Sequence, residues 1–351
     1  MSAFFALVLV LLLIALALWA VLARDAFVAV VGFVCYGLLL SLVWVWLRGI
    51  DVALTEAAIG GGLTGALLIG AVARLRGTDA EVRAERCGAG TRLLALLLSL
   101  GVSAALALCV LALPDPAPTL APQVVQNMPA TGVGNPITGV LLAFRALDTL
   151  LEAIVLVIAL LGVWSLAPDR FWGGRPGLRQ QADPDGMLAW LARLLPPIGI
   201  VVGIYLFWAG ADHPGGKFQA ATILAAMWML VQMAGLADAP RIDNRWLRTG
   251  IAAGPLVFIA VGVIGLATAG VFLGYPDGWA KPMIVVIEVA LLPTLTLVLA
   301  LLMNGAPARD GTQGGPGAGP HPSRPATPGA TKGLAPALGD RPTYSSDEGR
   351  T

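Results

Sequence analysis

Charge is scarce in this chain. Of its 351 residues 12% are Asp, Glu, Lys or Arg, against about 25% in an ordinary soluble domain. Cysteine and histidine are scarcer, at three and two residues. Cys35 and Cys109 lie in apolar segments and Cys87 in an Arg-rich loop. There is no C-x-x-C pair and no Cys/His cluster, so neither disulfides nor a metal site is expected. His213 and His321 both fall outside the apolar runs. The chain has no G-x-x-x-x-G-K-S/T, H-E-x-x-H or G-x-S-x-G motif, which removes a P-loop ATPase, a zinc hydrolase of that type and a nucleophile-elbow hydrolase. No lysine stands mid-span, which argues against a self-sufficient pump built on lysine relays. The net charge of +1 creates no bulk field for nucleic acid. A non-enzymatic chain without cofactors is the expectation.

What is abundant is apolar surface: 57% of residues are hydrophobic and the mean hydropathy is +0.82. Only the membrane class accommodates this. A span needs about 20 mostly apolar residues, and nine segments qualify: Ala3–Leu22, Phe27–Leu47, Val52–Ala73, Leu93–Leu113, Ile137–Leu166, Leu191–Ala209, Phe218–Ala237, Thr249–Leu273 and Pro282–Met303. No Lys or Arg precedes the first, so it reads as a retained helix rather than a cleaved signal. The fold class is therefore all-α and polytopic.

Arginine distribution orients the spans. The loops after spans three, five and seven hold Arg74, Arg76, Arg83, Arg86 and Arg92, then Arg170, Arg175 and Arg179, then Arg241, Arg245 and Arg248. Residues 114–134, after span four, hold no Lys or Arg, and the turns after spans six and eight hold one each, Lys217 and Lys281. An outside N-terminus and a cytoplasmic C-terminus follow. From Asn304 on, the Gly, Pro, Ala, Ser and Thr composition predicts a disordered cytoplasmic tail, dispensable for transport.

Five charged residues stand well inside apolar segments, away from their ends: Glu56, Arg145, Asp148, Glu152 and Glu288. Such a group costs roughly 2.5–3.5 kcal/mol at the bilayer centre on insertion scales and usually marks a pair or an ion path. Arg145, Asp148 and Glu152, at i, i+3 and i+7, fall within roughly 60° on one helix face. They predict either a proton or cation relay or a structural ion pair, with one carboxylate in surplus. Their span is long: from the expected N-cap Asn135 and Pro136 to Leu166 is roughly 45 Å of helix against a core of about 30 Å, so it must tilt, break or begin in the interface. Glu56 has no basic residue within its span. It is followed by Gly60, Gly61, Gly62 and Gly65, which let a neighbouring helix approach. It reads as a titrating carboxylate or as a protonated one in a packed interface. Asp51 sits at the border of that span. Glu288 is the only charge between Lys281 and the tail, and one interhelix hydrogen bond would also account for it. His213 to Lys217, with Pro214, Gly215 and Gly216, reads as a tight outer turn. Trp44 and Trp46 near a span end suit an aromatic belt.

Three stretches resemble components of the Mrp/Mnh-type multisubunit Na+/H+ antiporters and of membrane-bound hydrogenases. Asp51–Gly62, DVALTEAAIGGG, resembles the MbhD signature. Phe144–Val163, opening FRALDTLLE, is similar to the FRGFDTLGE pattern of MbhE-like segments. Ala192–Ala234, with PGGKF at Pro214–Phe218, resembles MrpB (MnhB) proteins, whose turn commonly reads PGGGF. Ala146, Leu147, Leu151 and Lys217 depart from those patterns. The resemblance implies a fusion: an MbhD-like three-helix module over residues 1–77, an MbhE-like two-helix module over 78–186, an MrpB-like four-helix module over 187–303, and the tail over 304–351. It implies a multi-pass subunit in the plasma (inner) membrane, part of a cation (Na+)/proton antiporter complex. Its partners would be complex I-like antiporter chains, small Mrp-type subunits, Na+, H+ and lipid, with Glu56, Arg145, Asp148 and Glu152 at the family's polar positions. The same module within a redox-driven hydrogenase complex, or a purely structural assembly role, are the alternatives.

Overall fold

The computed structural model describes residues 3–75, 88–177 and 186–307. Arg76, Arg83, Arg86, Cys87, Arg179, His321 and the tail from residue 308 lie outside the described residues.

Long apolar stretches have no water to bond their backbone, so they close their own hydrogen bonds as helices. The elements are α1 (Ala3–Leu22), α2 (Ala26–Trp46), α3 (Ile50–Thr55), a π-helical segment (Glu56–Leu63) and α4 (Thr64–Leu75). After these come α5 (Ala89–Leu111), α6 (Ala121–Thr131), α7 (Pro136–Gly139), a second π-helical segment (Val140–Phe144) and α8 (Ala146–Ser165). The last are α9 (Met187–Ala209), α10 (Lys217–Met233), α11 (Arg245–Ala269) and α12 (Ala280–Asn304). Among the described residues eight helices are long and apolar enough to cross a membrane. The expected seventh span is α10, which has 17 residues and so rises roughly 25 Å, short of a 30 Å core. It ends at Met233 because Ala234 and Gly235 turn the chain.

Local chemistry sets the helix ends. Asp25 caps α2, accepting from Phe27 and Val28 N–H, and Asn244 caps α11 through Trp246 N–H. Asn135 caps α7, accepting from Ile137 N–H at 2.9 Å, and Pro136 takes the first turn, as expected. The long fifth span resolves its excess length by breaking. The backbone leaves helical geometry at Arg145 (φ −131°, ψ 37°) after five residues of π-helix. The break frees carbonyls, which need partners inside a membrane. Thr149 Oγ1 donates to Leu141 O at 2.6 Å and Tyr275 Oη to Leu142 O at 2.5 Å. Burial pushes the Tyr275 phenol well above its ordinary range, so it stays a donor.

The main core joins α8, α10, α11 and α12 around Leu150, Phe258, Ile284, Ile287 and Leu291. A second cluster at the other end holds Leu160, Trp164, Ile242 and Val298. By contrast, no residue of α5 is buried.

The loops meet in two sets. Gly134, Asp212 and Lys281, from the three loops expected outside, join directly: Gly134 N–H donates to Asp212 Oδ1 at 2.9 Å, and Lys281 Nζ lies 2.8 Å from both Asp212 oxygens. At the other end, Arg175 pairs with Asp238, Ile242 N–H bonds Gly174 O, and Pro176 bridges to Pro307. Spans five to nine therefore alternate as the arginine pattern requires.

Candidate functional site

Lys217 is the centre of the site, and the turn reading missed its depth. It is the first residue of α10 and only 4% exposed. Three glycines fold the turn inward beneath it. Gly215 and Gly216 adopt φ of 147° and 134°, and a Cβ on Gly210 would fall 2.4 Å from Gly216 Cα. The positive end of the helix dipole opposes a cation there, and the apolar surroundings oppose it further. Carboxylates offset both. Lys217 Nζ lies 3.9 Å from Glu288 Oε1, itself buried at 4% exposure on α12. Glu152 on α8 also acts on Lys217 electrostatically, and the Phe218 ring centroid is 5.5 Å from the ammonium. One buried cation thus sits beside a buried carboxylate of α12, roughly 12 Å in from the start of that helix, while Glu152 is exposed on α8.

The expected trio is not one face of a continuous helix. The break at Arg145 turns its side chain onto Asp148 at 2.5 Å, and this pair is largely exposed, 71% and 52%. Glu152, a turn further on, is exposed on α8 and makes no ion pair with Arg145 among the described residues.

Glu56 opens the first π-helical segment, a geometry frequent at functional sites. Its carboxyl folds back over Gly60, where a Cβ would lie 2.3 Å from Oε1. Gly61 provides the close approach to α2, at Gly37, and Gly65 receives Val34. Glu56 has no ion pair among the described residues.

Asp51, read as a border residue, is buried at 9% exposure. Its Oδ1 accepts from Gly215 N–H at 3.0 Å and Asn135 Nδ2 at 3.2 Å. Asn135 Nδ2 also reaches His213 O at 3.0 Å, and Thr138 Oγ1 reaches Gly210 O at 2.6 Å. Gln219 of α10 donates to Thr55 Oγ1 at 2.9 Å. The signal for Lys217 was available: carboxylates outnumber Arg145 in the spans, and a lysine replaces a turn glycine directly before an apolar helix. Nothing in one dimension pointed to the link between Asp51 and Gly215.

Parts of the chain are similar to known proteins. Residues 11–77 match the model for MbhD, the D component of MBH, and residues 187–306 that for a domain related to the MnhB subunit of Na+/H+ antiporter. A Rhizobium meliloti (strain 1021) protein, the probable A/B component of a K(+)/H(+) antiporter, is 27% identical over 274 residues, covering 68% of this chain and 26% of that protein. An uncharacterized protein of Methanocaldococcus jannaschii is 27% identical over 156 residues, 40% of this chain and 60% of that one. A chain of the Mrp complex from Dietzia sp. DQ12-45-1b shares the fold, with TM-score 0.64 and 24% identity over 86% of this chain and 35% of the other. The chain therefore spans about a quarter of the antiporter protein and a third of the solved chain it resembles. The chain thus carries an MbhD domain followed by an MnhB-related domain within a multi-pass helical membrane fold, and in this it resembles the Mrp/Mnh-type antiporter subunits.

Proposed function

We propose that this chain is a membrane subunit of a multisubunit monovalent cation/proton antiporter, and that Lys217, Glu288 and Glu152 form a titrating step within it. The observation that carries this reading is the buried Lys217–Glu288 pair with Glu152 in electrostatic reach. A buried ion pair is a poor stabiliser, because desolvation offsets its Coulomb gain. A lysine and a carboxylate buried together in an apolar bundle, with exposed Glu152 nearby on α8, are better accounted for by proton exchange. Lys217 can exchange a proton with Glu288, and the charge on Glu152 would bias that exchange. Glu56 adds a second protonatable group in the MbhD domain. The exposed Arg145–Asp148 pair would meet another protein of the complex instead of lipid. The N-terminus would face outward and the C-terminus the cytoplasm.

The functional test is antiport in inverted membrane vesicles. Lys217→Met, close in size and unable to titrate, should abolish it while the protein still accumulates in the membrane. Unchanged antiport would overturn the reading. Single-cysteine labelling at Gly132 and Thr249 tests sidedness. Gly132 should react from outside intact cells and Thr249 should be protected; the reverse pattern would invert the topology.

A further inference from the structure

We infer that Asp51 of the MbhD domain is a positioning residue that seats Lys217 of the MnhB-related domain against Glu288, acting through the backbone of Gly215. The inference rests on the reading of Lys217 above only for its functional consequence.

The geometry is direct. Gly215 N–H, two residues before Lys217, donates to Asp51 Oδ1. The first turn of α10 is tied again two residues after Lys217, where Gln219 Nε2 donates to Thr55 Oγ1 at 2.9 Å and lies 3.4 Å from Asp51 O. Both ties come from α3 and bracket the lysine. Asn135, between the two domains in sequence, donates to the same Asp51 oxygen and to Gly210 O and His213 O. The turn cannot hold itself as firmly. Gly215 and Gly216 occupy φ values that leave the chain its widest freedom. His213 N–H to Ala209 O at 2.7 Å ties the entry of the turn to α9, and past Pro214 the return to α9 is Gly216 N–H to Leu206 O at 2.9 Å. An acceptor from outside the domain therefore fixes where α10 begins. Both bonds reach one oxygen, so the role needs an acceptor at that point and not a negative charge.

The test reads lysine accessibility in the full chain in native membranes. Membranes are treated with a permeant acetylating ester, and modification of Lys217 is measured by mass spectrometry relative to exposed Lys281, the internal reference. Asp51→Ala should raise Lys217 acetylation about fivefold, the effect of losing a typical hydrogen bond on a local opening. Asp51→Asn retains Oδ1 and should keep the wild-type value. Wild-type protection in Asp51→Ala would overturn the inference, and so would Asp51→Asn behaving like Asp51→Ala, since charge would then be the operative property. Should Asp51→Ala fail to accumulate, Gln219→Leu, which cuts the second tie alone, decides on the same readout: raised acetylation supports the inference and unchanged acetylation overturns it. Acetylation does not depend on transport. Normal antiport by Lys217→Met would remove the functional reading and leave this one standing.

Discussion

Two ion pairs of similar chemistry occupy opposite environments in this molecule. Arg145 and Asp148 meet at 2.5 Å with more than half of each side chain exposed. Lys217 and Glu288 stand 3.9 Å apart and almost wholly buried. The closer pair is the less consequential for the chain itself. A pair on the outer surface of the bundle can be re-partnered by another protein of the complex, whereas an enclosed one cannot. The buried pair has no substitute on either side, so its charge state is coupled to the packing of α10 and α12. Distance alone would have ranked the two the wrong way round.

Breaking the buried pair should give the largest effect. Lys217→Met leaves Glu288 without its cation, a loss that typically costs about 3–5 kcal/mol if the acid stays charged. Antiport should disappear and the denaturation midpoint in detergent should fall.

The next effect probes the geometry around Glu56. A Cβ at residue 60 would overlap Glu56 Oε1. Gly60→Ala should therefore displace the carboxyl, the end of a flexible side chain, at a stability cost of no more than about 1 kcal/mol, and its readout is loss of antiport in inverted vesicles. Gly70→Ala, where a Cβ meets open space, is the control and should leave thermal stability in detergent unchanged.

Arg145→Ala sharpens the comparison from the exposed side. In detergent, where the pair can meet water, it should change the stability of the isolated chain by no more than about 1 kcal/mol. If the pair faces another protein of the complex, co-purification of that complex should weaken while the chain remains folded.

The smallest effect belongs to the loop pair Lys281–Asp212. The Lys281 hydrogen bond, with help from Gly134 N–H, holds the Asp212 carboxyl below its ordinary range. A depressed folded value means that this contribution is present above the unfolded value and fades as pH falls through the folded one. Asp212→Asn should cost about 0.2–1 kcal/mol near neutrality, less in high salt, and nothing once acid has protonated the wild-type group.

Much of this architecture is legible in one dimension, for physical reasons. Apolar length identifies the helices. Arginine bias predicts which loops meet, and the contacts of Gly134, Asp212 and Lys281 follow that pattern. The excess length after Asn135 demanded a break, tilt or interfacial start, and the break falls at Arg145. The site was less legible. Lys217 follows two glycines in a turn motif, and turn residues are normally solvated. Only the packing of Gly210 on Gly216, and the reach of Asp51 across 164 positions to Gly215, carry it inward. Helical periodicity likewise grouped Arg145 with Glu152 because it assumes an unbroken 3.6-residue repeat. The π-helical segment and the irregular backbone at Arg145 violate that assumption.

The central claim is that the buried pair titrates rather than merely ties two helices together. The double variant Lys217→Met with Glu288→Gln separates these, since replacing both members of a buried pair with neutral groups is often neutral or stabilising. Antiport by this variant should be measured in inverted vesicles beside wild type, at matched amounts of assembled complex. The account predicts a stable, assembled and inactive complex. Recovery of wild-type antiport would contradict it and leave the pair as a structural contact.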